Sequence, residues 1–232
     1  MARRTRPALL ARNAPPTFPN PSGADSEGLV AIGGDLSTER VLAAYEQGIF
    51  PWYSEGLPPM WWSPDPRAVM DPERLHVSRS LAREIRKRKF SLTFDRAFEA
   101  VMIECGCDRD DGTWITPAML AAYVELHRRG HAHSVEAWHG ERLVGGLYGV
   151  ARGALFAAES MFHRETNASK VALVTAVRTL FAAGIELFDV QFLTPHLASL
   201  GAYEIRRTDY LARVAEARRK AVRLSDVEIG LG

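Results

Sequence analysis

The 232-residue chain is poor in cysteine, and its two thiols, Cys105 and Cys107, stand one residue apart. Thiols that close cannot staple distant segments, so a disulfide-built domain is excluded and a reduced compartment is expected. Uninterrupted apolar runs are also missing. The most apolar stretch, residues 171–188, carries Arg178 and Glu186, whereas a membrane span needs roughly 18 residues with few charges. Arg3, Arg4, Arg6 and Arg12 crowd the N-terminus with no apolar segment of secretory length after them, so a cytoplasmic protein with no membrane partner is expected. Phosphate-binding glycine loops are absent: there is no G-x-G-x-x-G and no G-x-x-x-x-G-K-S/T. Gly145, Gly146, Gly149 and Gly153 do not form the R/Q-x-x-G-x-G/A pyrophosphate turn of acetyl-CoA enzymes. No G-x-S-x-G supports a serine nucleophile. Cys105-Gly-Cys107 lacks the second pair that a structural metal site requires. The expectation is therefore no metal and no cofactor.

What is present is charge in unequal places. Twenty-nine Lys+Arg oppose 28 Asp+Glu, for a net charge of +1. That sum hides a segment from Arg74 to Lys89 in which seven cations face Glu84 alone, and another from Glu204 to Arg223 in which seven face three acids. Acid gathers instead at Glu104, Asp108, Asp110 and Asp111. The first basic segment spells a helix from Ser78 with Leu81 and Ile85 turned inward. Its charge is either a solvated face or a footprint for phosphates.

The pattern along the chain is α+β. The first twenty-odd residues, with Pro15, Pro16, Pro19 and Pro21, read as loop. A helix runs from Thr38 to Gln47 and stops at Gly48. Pro64 and Pro66 mark a boundary between a small N-terminal domain, 1–65, and a second domain, 66–232. In the second, Asp95 is expected to cap a helix to about Cys105, and Thr116-Pro117 to open one that Gly130 stops. Three strands around 133–138, 142–150 and 154–162, joined by hairpin-length turns, form an antiparallel meander. A helix over 168–183, a strand over 185–192, a short strand over 202–206 and an amphipathic helix over 209–222 complete it. This order matches the layout of the N-acetyltransferase-like fold, with a mostly antiparallel central sheet.

Two constellations stand out. Trp52, Trp61 and Trp62 fall within eleven residues beside Phe50 and Tyr53; they are either core or the wall of an apolar ligand site. Asp189 and Gln191, at i and i+2 on an otherwise apolar strand, should share one face, and Glu159 interrupts a second apolar strand. Such groups need partners or a polar cleft. They form either a buried hydrogen-bonded triad or an acidic pocket for a cationic substrate.

The strings Gly33-Gly-Asp-Leu, Gly48-Ile-Phe-Pro-Trp, Trp61-Trp-Ser-Pro-Asp-Pro-Arg, Gly112-Thr-Trp-Ile-Thr-Pro, Glu159-Ser-Met-Phe, Asn167-Ala-Ser-Lys and Ser199-Leu-Gly-Ala occur in that order. Together they resemble the leucyl/phenylalanyl-tRNA–protein transferases from about Phe18 to Tyr210. Leu147 stands where some members carry Met, and Phe192-Leu-Thr-Pro-His replaces an Asn-Asp-His variant. The resemblance implies an N-acetyltransferase-like domain behind a small N-terminal one. It also implies transfer of Leu, Phe or Met from aminoacyl-tRNA to proteins with N-terminal Arg or Lys, marking them for degradation. It implies Gln191 at the acceptor amine with Asp189 behind it, and Glu159 on the acceptor's cationic side chain. Trp52, Trp114, Leu147 and Phe156 would line the donor pocket, and Arg83, Arg86, Lys87, Arg88 and Lys89 would hold tRNA phosphates.

Overall fold

A computed structural model describes residues 6–107, 113–225, 227 and 229. The acidic run at Asp108, Asp110 and Asp111, Gly112, and Arg3 and Arg4 lie outside the described residues. Four short strands build a small sheet: β1 (Ala8–Leu10), β2 (Leu29–Gly33), β3 (Phe50–Pro51) and β4 (Met60–Trp62), in the order β1-β2-β4-β3. Strand β1 corrects the expectation of an N-terminal loop. It is an edge strand three residues long, parallel to β2, too short for its sequence to show a period. Helix α1 (Thr38–Tyr45) links β2 to β3 and ends two residues before the expected Gln47.

The second sheet has seven strands. They are β5 (Arg67–Met70), β6 (Ser91–Phe94), β7 (Ala132–His139), β8 (Arg142–Arg152), β9 (Leu155–His163), β10 (Leu187–Gln191) and β11 (Tyr203–Ile205). Their spatial order is β11-β5-β10-β9-β8-β7-β6, antiparallel throughout except for the parallel pair β9–β10. The helices are α2 (Arg79–Arg86), α3 (Phe98–Gly106), α4 (Pro117–Arg128), α5 (Ala168–Ala182), the single turn α6 (Pro195–Ala198) and α7 (Arg207–Ala217). The α+β class and mostly antiparallel sheet match the reading from sequence.

Local chemistry explains where these elements begin and end. The Thr116 hydroxyl accepts the Met119 N–H at 3.2 Å, and Pro117 occupies the first turn of α4, where no amide is needed. Asp95, by contrast, does not cap α3. It sits at φ 58°, accepts the Ser134 N–H at 2.8 Å and meets His133 Nδ1 at 2.6 Å. Strands β5 and β6 had no expected counterpart, because β5 follows two prolines and β6 has only four residues.

Alternation on β8 divides the core. Leu147 points to the face covered by α5, while Tyr148 points to the face covered by α3, α4 and the small sheet. Gly145 permits this packing: a Cβ there would lie 2.6 Å from Ala168 Cβ at the start of α5. The core that contains Val101, Met119 and Tyr148 continues into Val30, Tyr45 and Trp61, so the small sheet is packed on the large one.

Candidate active site

The wall of the site starts at Gly48. Its φ of 72° turns the chain out of α1 into β3, at a point where a Cβ would meet Leu211 at 2.6 Å. Beyond it, the Trp52 N–H bonds the Met60 carbonyl at 2.9 Å, and Trp62 Nε1 donates to the Trp52 carbonyl at 2.7 Å. The three tryptophans thereby separate. Trp61 is fully buried with its Nε1 on the Gly33 carbonyl at 2.9 Å, and is core. Trp62 braces the wall, with its ring 6.3 Å from Trp52. Trp52 is 44% exposed, packs against Phe192 at 5.5 Å and faces a cleft of about 280 Å³. Trp114 and Phe50 join this wall, Val190 and Leu197 continue it, and Glu159 and Gln191 supply its polar floor. A larger hollow of about 570 Å³ beside Arg12, Asp35 and Glu55 is open and carries none of these strand-borne polar groups.

The floor rests on the parallel pair β9–β10. Asp189 and Gln191 do not simply share a face, because the register slips between them and Gln191 takes φ 56°. The strand bulges at that point, so the two-residue period fails. Asp189 is fully buried, and one of its oxygens accepts the Gln191 N–H at 3.0 Å. The same carboxylate receives Arg67 Nε at 2.8 Å and Nη2 at 2.6 Å, and the Tyr210 hydroxyl at 2.9 Å. Asp189 is thus not an open acid awaiting a cation; Arg67 occupies it. Burial opposes the Arg67 charge most strongly, but Asp189, Tyr210 and Glu159 together outweigh it and raise the guanidinium pKa. Burial pushes the Tyr210 hydroxyl well up.

Glu159 has different surroundings. It is half-buried, 3.4 Å from Gln191 Nε2 and 3.5 Å from the Tyr123 hydroxyl, which bonds Tyr45 at 2.6 Å. No cation pairs with it among the described residues. Burial, and then the Asp189 charge, lift its pKa to about 8, against the pull of hydrogen bonds from Tyr45 and Tyr123 and the field of Arg67. Burial likewise raises both tyrosines well above their ordinary value.

Of the residues expected in the site, Trp52, Trp114, Glu159 and Gln191 meet in one cleft, with Asp189 directly beneath Gln191. Leu147 and Phe156 do not line it. Both are buried in the core under α5, in the same cluster as Val190, and Phe156 packs against Phe188 at 5.2 Å. Arg83, Arg86, Lys87, Arg88 and Lys89 lie at the surface, but only the first two are helical; Lys87 ends α2 and Arg88 takes φ 50°. Lys89 pairs with Glu165 at 3.0 Å, while the other four have no ion-pair partner among the described residues. Glu84 of the same helix bonds Asn167 at 2.9 Å, fixing α2 beside the start of α5. The second basic segment is not a free surface of this kind. Arg207 is buried on the carbonyls of Ala24, Asp25 and Ser63, Arg213 pairs with Asp71, and Lys220 with Glu186.

Sequence reasoning assigned Arg67, Tyr45, Tyr123 and Tyr210 no role. A signal existed for one of them: Arg67 opens the apolar run Ala-Val-Met, and a charge entering a buried strand requires an opposite charge on a neighbour. No group of three metal-ligating side chains occurs among the described residues, and no helix among them is long and apolar enough to cross a membrane.

Comparison with known proteins gives the class. Residues 69–215 match the leucyl/phenylalanyl-tRNA protein transferase family, and residues 34–65 match the N-terminal domain of that family. A leucyl/phenylalanyl-tRNA–protein transferase from Anaeromyxobacter sp. (strain Fw109-5) is 56% identical over 204 residues, covering 87% of each chain. One from Syntrophobacter fumaroxidans is 56% identical, covering 86% of each, and one from Shigella sonnei is 54% identical, covering 84% of each. Among solved structures, a GCN5-related N-acetyltransferase from Kribbella flavida aligns at 13% identity over 69% of this chain and 58% of that one. The TM-score of that alignment is 0.40. An aromatic wall over a carboxylate–amide floor, in an α+β sheet with these relatives, defines an enzyme of the tRNA-dependent aminoacyl-transferring class. The chain belongs to the leucyl/phenylalanyl-tRNA–protein transferase family.

Proposed function

We propose that this cleft moves a leucyl, phenylalanyl or methionyl group from aminoacyl-tRNA to the α-amine of a protein beginning with Arg or Lys, marking that protein for degradation in the cytoplasm. The observation that carries the reading is the juxtaposition in one 280 Å³ cleft of an apolar wall and an unpaired carboxylate. An apolar pocket separates hydrocarbons by only about 1–3 kcal/mol per methylene, which suits tolerance of Leu, Phe and Met. Trp52 and Trp114, extended by Val190 and Phe192, take the donor side chain and terminal adenosine. Glu159 takes the guanidinium or ammonium of the acceptor's first residue, a charge-assisted pair.

The chemistry asks little more than placement. The donor is already an ester. Its carbonyl carbon gains a bond to the acceptor nitrogen and loses its bond to the ribose oxygen, which leaves with the proton the amine gives up. An α-amine has a pKa of about 7.7–8.0, so a useful fraction is neutral near pH 7 without a strong base. Gln191 Nε2 points toward Glu159, leaving its amide oxygen to accept a hydrogen bond from that amine. A neutral amide orients the nucleophile, and orientation alone supplies much of the acceleration of such a step. The surface cations Arg83, Arg86, Lys87 and Arg88 hold tRNA phosphates.

The test is radiolabelled leucyl-tRNA offered together with two peptides that differ only in an initial Arg or Ala. Label on the Arg peptide alone supports the reading. Label on both removes Glu159 as the selector, and tRNA retention without any labelled peptide makes the protein an RNA-binding module.

A further inference from the structure

We infer that Arg67 is a positioning residue that holds the donor wall in register with the acceptor floor, an inference that rests on the transfer reaction proposed above. Its guanidinium lies between the Phe50 ring, 4.7 Å away, and the Tyr210 ring, 4.4 Å away. Its Nη1 donates to the Gly48 carbonyl at 3.2 Å, at the turn that launches Phe50 and Trp52 into the wall. Its Nε and Nη2 grip both oxygens of Asp189, at 2.8 and 2.6 Å. One of those oxygens in turn accepts the Gln191 N–H and stabilises the φ of 56° that aims the amide at Glu159.

The left-handed backbone at Gln191 is costly for a non-glycine residue and persists only where its surroundings over-determine it. Asp189 provides that constraint, and Arg67 fixes Asp189. The wall and the floor come from segments of chain far apart in sequence, and Arg67 bonds directly to both. A planar fork is required for this geometry. A lysine ammonium keeps the charge but cannot reach two carboxylate oxygens and a carbonyl while stacked between two rings.

Arg67→Lys and Arg67→Ala are compared with the wild type in transfer of leucine from leucyl-tRNA to the Arg-initiated peptide. In Arg67→Lys, at a temperature where circular dichroism shows it folded, kcat should fall about a hundredfold, the scale of a 1 Å misplacement. KM for each substrate should stay within about threefold, since the residues that line both subsites are unchanged. Added methylguanidinium should recover about tenfold of the lost rate in Arg67→Ala, and methylammonium none. If Arg67→Ala does not fold, kcat of Arg67→Lys decides alone. Wild-type kcat in Arg67→Lys overturns the inference, as does a loss carried by KM. Absence of transfer by the wild type would instead overturn the reaction itself.

Discussion

Asp189 and Glu159 stand on neighbouring parallel strands, yet the same functional group has opposite surroundings in the two places. Asp189 is fully buried and takes hydrogen bonds from Arg67, Tyr210 and the Gln191 amide. Glu159 reaches the cleft with only neutral donors beside it, and its pKa rises to about 8. A buried carboxylate with its own cation is part of the frame. One left without a cation keeps an unmet electrostatic demand that a cationic ligand can meet. On the proposed function the two acids divide the work: one shapes the backbone that carries Gln191, and the other meets the acceptor.

The largest contrast should come from removing each acid. Asp189→Ala leaves Arg67 buried and alone, so it should cost about 3–5 kcal/mol of stability, read from denaturant midpoints, and abolish transfer as well. Glu159→Gln removes no ion pair and, compared at pH 5, where Glu159 keeps its proton in the folded state, should leave the stability within about 1 kcal/mol of the wild type. Similar losses of stability in both variants would erase the distinction. Gln191→Gly separates backbone from side chain. Glycine adopts φ 56° without strain, so the fold should survive while transfer falls by about a hundredfold.

A second contrast lies between the two basic segments, and it bears on how much could be read from sequence. Seven cations each looked alike as a count, but those after Glu204 are largely consumed by carbonyls and carboxylates of their own chain, whereas four near α2 lie at the surface without an ion pair. Reversing Arg86 and Lys87 to Glu should weaken tRNA binding about tenfold or more at moderate salt and flatten its salt dependence by about one unit for each phosphate no longer neutralised. Filter binding across a salt series measures both. Arg207→Glu should instead impair folding, because it places a carboxylate against three carbonyl oxygens.

The elements legible in sequence were those with long periods or unambiguous punctuation. The meander β7–β9 runs for eight to eleven residues per strand between hairpin-length turns, α5 ends before a glycine, and Thr116-Pro117 opens α4. Edge strands of three or four residues, such as β1 and β6, are too short for a period to show. The site was legible by residue type and misread in geometry. Asp189 and Gln191 at i, i+2 suggested one shared face, but a bulge, which no composition announces, broke the alternation. Leu147 and Phe156 follow the apolar pattern into the core rather than the cleft. Arg67 lay within a recognisable string, and its significance depended on which strand came to lie beside it.

Smaller effects belong to pH. With no cation in the cleft Glu159 holds its proton up to about pH 8, so pairing with a cationic side chain below that pH must release the proton and is weakened by its cost. Preference for an Arg-initiated over a citrulline-initiated peptide should therefore grow as pH rises from 6 to 8 and level off above it. The sign for stability is opposite. A carboxyl whose pKa rises on folding from about 4.5 to about 8 stabilises the fold at low pH, and that contribution is lost progressively as pH climbs between those values. Glu159→Gln should lack both dependences. Tyr123→Phe removes a hydrogen bond that lowers the Glu159 pKa, so the pH at which selectivity levels off should move up by a few tenths of a unit.

The most direct test concerns Glu159 as selector. Arg and citrulline side chains are nearly isosteric and differ in charge, so the ratio of kcat/KM for the two acceptor peptides isolates the carboxylate. At pH 8.5 the wild type should favour Arg by about tenfold to a hundredfold, the worth of a hydrogen bond to a charged group, and Glu159→Gln should bring that ratio close to one. An undiminished preference for Arg in Glu159→Gln would contradict the division of labour between the two acids.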